Sequence, residues 1–147
     1  MAVYQITPVI STSAYSTGDV IGDKMVLKGA AARNGLITNL TIWDADGEKD
    51  QLDFFLFSGT LTGTYTDNAA FAVDAADSSK LFGVISVAAS DYVDAGSDAV
   101  ATKRDIATSI RPNNSGTSDI TVIAVIRATT TYTSTSDLRF EFGVLFD

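Results

Sequence analysis

The densest group of reactive side chains in this sequence is acidic: Asp44, Asp46, Asp50 and Asp53 stand close together, with Glu48 among them. Carboxylates at that spacing could supply the several oxygens a hard cation such as calcium requires. The EF-hand order is not met, because a third ligand before the glycine and a glutamate closing the loop are both missing. An acidic turn between two strands is the preferred reading, so no metal or cofactor is expected. Glycoside hydrolysis needs two carboxylates facing each other across a cleft. Glu48 falls in the turn and Glu141 alternates outward from a strand, so both are read as solvated.

Other catalytic chemistry finds little to work with. The chain has no histidine and no cysteine, which removes the usual general base, the thiol nucleophile and the commonest transition-metal ligands. No serine has a histidine partner, and no Ser-x-x-Lys offers the lysine variant. The reading is therefore not an enzyme. Lys103-Arg104 with Arg111 is the one basic concentration; a solvated strand edge is the default reading and a docking patch for an acidic partner the sharper one. Trp43, the only tryptophan, reads as a hairpin core contact rather than a sugar-stacking platform. Asn39-Leu40-Thr41 and Asn113-Asn114-Ser115 match the glycosylation sequon by chance, since residues 1–11 show neither the basic nor the apolar region of a signal peptide.

The elements that would position these residues are strands. Sixteen aspartates stand against two glutamates, and aspartate favours turns over helix interiors because its short carboxylate competes for nearby backbone amides. Val, Ile and Thr supply 41 of the 147 residues, and their branching at Cβ suits a pleated sheet. Strands are expected over residues 3–11 (interrupted by Pro8), 20–28, 36–43, 51–58, 82–88, 99–110, 120–127 and 138–146, with residues 92–97 irregular. Residues 36–43 and 51–58 read as a hairpin around the acidic turn, and Arg111 to Gly116 as a turn. The one helix is placed at residues 74–81, capped by Asp74 and closed by Lys80. The near-continuous apolar run 120–127 reads as a central strand buried on both faces.

These elements specify an all-β fold: a single-domain antiparallel β-sandwich, jelly-roll-like, of about eight strands with one short helix. Leu40, Ile42, Phe54, Leu56, Val84, Ile123, Val125, Phe140, Phe142 and Val144 are its expected core. Residues 1–17 read as an N-terminal arm and residues 18–147 as the sandwich. In the arm, Pro8 weakens an internal strand, yet Val3, Tyr4, Ile6, Val9 and Ile10 are too apolar to leave in water. They are assigned to subunit or capsid contacts, with Lys103, Arg104 and Arg111 as further candidates.

The net charge of −8 argues against nucleic acid, which demands a basic face, and against anionic lipid. No stretch approaches the roughly 20 apolar residues of a membrane span. Synthesis in the cytosol is the simplest expectation.

Several segments, in order along the chain, resemble the small decoration or cement proteins of tailed-bacteriophage heads. They are residues 13–22 (Ser-Ala-Tyr-Ser-Thr-Gly-Asp-Val-Ile-Gly), 37–44 followed by 52–57 (Leu-Asp-Phe-Phe-Leu-Phe), 66–71 leading to 80–85, and 132–147. These motifs are turns and strands, none catalytic, and no functional residue transfers with them. The resemblance implies a β-sandwich bound to the major capsid protein on the exterior of the virion, made in the host bacterial cytoplasm. A homotrimer is the expected assembly, because icosahedral lattices offer many three-fold positions. A carbohydrate-binding β-sandwich, or a tail or fibre component, is the alternative; an esterase or glycosidase on a jelly roll comes third.

Overall fold

In the computed structural model, which describes residues 1–113 and 117–147, ten strands form two antiparallel sheets. They are β1 (Ala2–Ile6), β2 (Met25–Leu27), β3 (Gly35–Asp44), β4 (Leu52–Ser58), β5 (Leu81–Val87), β6 (Tyr92–Ala95), β7 (Asp98–Lys103), β8 (Thr108–Ser109), β9 (Ile120–Ile126) and β10 (Leu138–Phe146). Sheet 1 runs β1-β10-β3-β7-β6, with β8 also beside β3; sheet 2 runs β2-β9-β4-β5. The chain crosses between the sheets repeatedly, staying in one sheet only from β4 to β5 and from β6 to β8, which is the jelly-roll solution for burying one face of each. Part of the turn expected at Arg111 to Gly116, and Asn114-Ser115 of the second sequon match, lie outside the described residues.

The sheets face each other through their alternating apolar positions. Leu40 and Ile42 of β3, with Phe140, Phe142 and Val144 of β10, meet Phe54 and Leu56 of β4, and all are fully buried. Phe54 sits 5.0 Å from Phe140 and 5.8 Å from Phe142, both edge-to-face, the arrangement that the ring quadrupole favours. Each such side chain contributes about 1.5–3 kcal/mol by leaving water. A second apolar cluster lies on the opposite side of sheet 2, where Phe57, Ile123 and Val125 pack with Val20, Leu61 and Tyr65. This is why all seven residues of β9 are buried: one face meets sheet 1 and the other lies under residues 59–77.

Several expectations are corrected. β3 and β4 are not a hairpin: they belong to different sheets, and residues 45–51 cross between them. Their apolar residues therefore meet across the core, from facing sheets, instead of side by side in one sheet. The expected strand 20–28 breaks at Gly22, Asp23 and Lys24; Val20 and Ile21 on one side of the break and β2 on the other bond to β9. Gly22 has φ 67°, and a Cβ there would stand 2.5 Å from the Cβ of Pro8. Residues 92–97, expected to be irregular, hold β6, which turns through Gly96-Ser97 into β7; Gly96 supplies the positive φ of 79° that a two-residue turn requires. The helix at 74–81 reduces to a 3-10 turn at Ser78–Lys80. Asp74 accepts the amide of Ala76 in a local turn, and no apolar stripe exists there to hold a longer helix down. Val84 is 47% exposed, and its neighbours Ile85 and Val87 are buried instead. Ile85 and Val87 pair with Phe54 and Leu52, which face the main core, whereas Val84 pairs with Phe55 on the opposite face of sheet 2.

Replacing Phe54 by Ala should destabilise the fold by about 3–5 kcal/mol through the cavity it leaves among β4 and β10. Val84→Ser should fall within about 0.5 kcal/mol of the parent. Urea denaturation followed by tryptophan fluorescence measures both, and a large loss at Val84 would contradict the register of β5.

Candidate functional site

The N-terminal segment is not a free arm, a correction to the sequence reading. Residues 2–6 pair antiparallel with residues 140–144 of the same chain, so β1 is an edge strand of sheet 1. Its burial alternates: Tyr4 and Ile6 pack against the main core, while Val3 is 63% exposed. Pro8 is buried and ends the strand, since it has no N–H to donate. Val9 then turns outward, 76% exposed, whereas Ile10 is buried at 2% and bonds through its amide to the carbonyl of Thr135 at 3.1 Å. Ile10 therefore belongs to the core and offers nothing to a partner, because its side chain is part of the main apolar cluster instead of facing solvent.

Beside β1 lies β2, the edge of the other sheet, and between them runs an open groove of about 330 Å³. Ile6, Thr7, Pro8 and Val9 form one wall; Asp23, Lys24, Met25 and Val26 form the other. Val26 is 47% exposed and was not among the sequence candidates; its place between buried Met25 and Leu27 is a period-two signal too short to read with assurance. Residues 1–18 contain no Asp, Glu, Lys or Arg. On a chain of net charge −8, residues 1–18 are an uncharged, partly apolar strip with Val3 and Val9 outermost, and Val26 stands across the groove beside the charged Asp23 and Lys24.

The basic candidates do not converge. Lys103, at the end of β7, donates to Asp91 at 2.9 Å, and that contact, with the Ala88 amide, holds the Asp91 carboxyl below its ordinary range. Arg111 donates to the carbonyl of Ser79 at 2.7 Å on the far side of the sandwich. Arg104 is exposed and makes no hydrogen bond or ion pair with a described residue. Two of the three are thus fasteners of the fold. Trp43 is not a core contact either: it lies half-buried on the outer face of sheet 1. Its indole N–H donates to Asp98 at 3.1 Å, and the guanidinium of Arg139 lies over its ring at 5.3 Å.

The acidic turn becomes the crossover between the sheets, and its carboxylates point inward. Asp44 is fully buried and accepts the amides of Asp46, Gly47 and Lys49. Asp50 accepts the hydroxyl of Tyr132 at 3.0 Å, its carbonyl accepts that of Tyr92 at 2.9 Å, and Glu48 accepts Thr130 at 3.2 Å. Burial raises the pKa of Asp44, Glu48 and Asp50, and mutual repulsion adds to it at Asp50 and Glu48. Asp53 stands apart, paired with Arg127 at 2.8 Å. Among the described residues no three His, Cys, Asp or Glu side chains are arranged to hold a metal ion.

Asp77 shows the opposite balance. Burial alone would raise its pKa, but the amides of Thr62 and Gly63, the Tyr65 hydroxyl and the Lys80 ammonium hold it well below the carboxylate range. A lowered pKa contributes stability above the unfolded value near 4, lost as pH falls through the folded one. A raised pKa contributes below that value and is lost as pH rises. Asp77→Asn should therefore weaken the protein at neutral pH, by about 3 kcal/mol, with the deficit shrinking as pH falls below 4. Asp50→Asn should instead gain on the parent as pH rises from 4 to 7. Urea midpoints across pH 3–7 read both signs. No family model matches this chain, and neither a curated protein nor a solved structure shows significant similarity to it.

Proposed function

We propose that this chain is a non-enzymatic structural protein of a bacteriophage virion, a decoration or cement protein that binds the outer surface of the head and reinforces it. One observation carries the reading: a strongly acidic jelly roll presents an uncharged N-terminal edge strand, with Val3 and Val9 exposed beside an open groove. Large exposed apolar residues on a soluble acidic domain mark an interaction surface when they cluster. The resemblance of residues 13–22, 37–44, 52–57, 66–71, 80–85 and 132–147 to head decoration proteins names the partner, the major capsid protein. The sandwich supports it only as a scaffold, since jelly rolls host many functions. In this reading copies associate as homotrimers at three-fold positions of the lattice, after synthesis in the host bacterial cytoplasm. The sugar-binding alternative is not favoured, because Arg139 covers the Trp43 ring and Asp98 engages its N–H.

The double variant Val3→Asp/Val9→Asp tests the edge directly. Both side chains are exposed, so the melting temperature should stay close to that of the parent. Binding to heads prepared without the protein should be lost, as charge would then be buried against the lattice. Mass spectrometry of purified virions should find the chain in high copy number with head proteins. Recovery with isolated tails, or undiminished binding of the variant, would count against the reading.

A further inference from the structure

β4 and β5 are antiparallel neighbours in sheet 2, with Phe57 opposite Leu81. A turn of about two to five residues closes such a pair. Here residues 59–80 make the connection, and a loop beyond about 12–15 residues in a compact domain usually serves a function. This one lies over the outer side of sheet 2. Leu61, Tyr65, Phe71 and Val73 cover Phe57, Ile123 and Val125, forming a cluster separate from the main core.

The two ends of the loop are fixed posts. The amide of Gly59 donates to Asp119 and its carbonyl accepts the Thr121 hydroxyl at 2.7 Å, while the carbonyl of Ser79 is held by Arg111. Between the posts, Asp77 ties the loop to itself through Thr62, Gly63, Tyr65 and Lys80. None of those bonds reaches either sheet. The tip is latched separately. Asp67 accepts the Tyr15 hydroxyl at 2.6 Å and the Gly22 amide at 2.7 Å, and the main chain of Asn68, Ala69 and Phe71 bonds to residues 18–20. Those residues continue the edge of sheet 2 beside β9, so the tip blocks a sheet edge while the body covers an apolar face.

From the separate cluster, the fixed posts and the internal tie, we infer that residues 60–77 are a strap that opens as one unit while both sheets stay folded. Opening uncovers the apolar strip of Phe57, Ile123 and Val125 together with the main-chain edge of residues 18–20. The latch at Asp67 sets how often this happens. Segments with their own small apolar cluster, outside the main ladders, are those that open below the global unfolding energy.

Hydrogen–deuterium exchange of the full chain, read by mass spectrometry, tests this. In the parent, amides of residues 60–77 should exchange through an opening cheaper than that of β4 and β9, and with a smaller urea dependence. Asp67→Ala removes the side-chain acceptor of the latch but leaves the Asp77 tie intact. It should speed exchange by about tenfold, evenly over residues 60–77, with β4 and β9 unchanged. Acceleration confined to residues 66–71 would show a fraying tip and overturn the proposal. So would exchange of the parent strap only through global unfolding, a result readable even if the variant fails to fold.

Discussion

Backbone amides held by aspartate carboxylates are the constraint on which this structure depends. A jelly roll carries its chain back and forth between two sheets, so many connections have N–H groups with no ladder partner, and buried ones must find an acceptor. Asp44 supplies it for the β3–β4 crossover, Asp77 for the long β4–β5 connection, and Asp137 for the amides of Thr133 and Ser134 ahead of β10. Asp91 and Asp119 do the same at Ala88 and Gly29. Glutamate cannot replace them readily, because the shorter side chain reaches amides two or three residues away without looping out. The strong bias toward aspartate is thus a record of how many connections needed an internal acceptor.

That bias made the fold class legible and the wiring illegible. Period-two runs place β3, β4 and β10, and a near-continuous apolar run places β9, within a residue or two, because each buries one or both faces over at least seven residues. Pairing is another matter. The sequence around Asp44 carries the same turn signals whether the next strand pairs or crosses over; only the burial of Asp44 and the positive φ of Lys49 distinguish the two. β6 was missed although Gly96-Ser97 is a hairpin signal, because Val93, Asp94 and Ala95 are exposed and carry no pattern. At the candidate site, the apolar character of Val3 and Val9 was readable. Its geometry was not, because β1 takes its place from β10, more than a hundred residues along the chain.

The same acidity sets limits on association. A net charge of −8 keeps copies apart in solution, and most exposed faces share in that repulsion. Residues 1–18 do not, and the strand they contain has its outer edge unpaired. Natural edges are commonly guarded by charge or by brevity. β2 has three residues flanked by Lys24 and Lys28, and β6 carries Asp94. β1 has no charge of its own, a feature it shares with β5, the remaining edge.

The position of β10 bears on how the protein is made. Last of the ten strands in sequence, it lies between β1 and β3 in sheet 1. A ribosome releases β1 and β3 well before the strand that joins them. β1 therefore cannot join sheet 1 early; the sheet closes only after residues 138–146 are free. Until then the apolar faces of β3, β4 and β9 wait without their cover, in a topology whose distant contacts fold slowly. The mutual repulsion of nascent acidic chains is then a safeguard during synthesis as much as a property of the finished molecule.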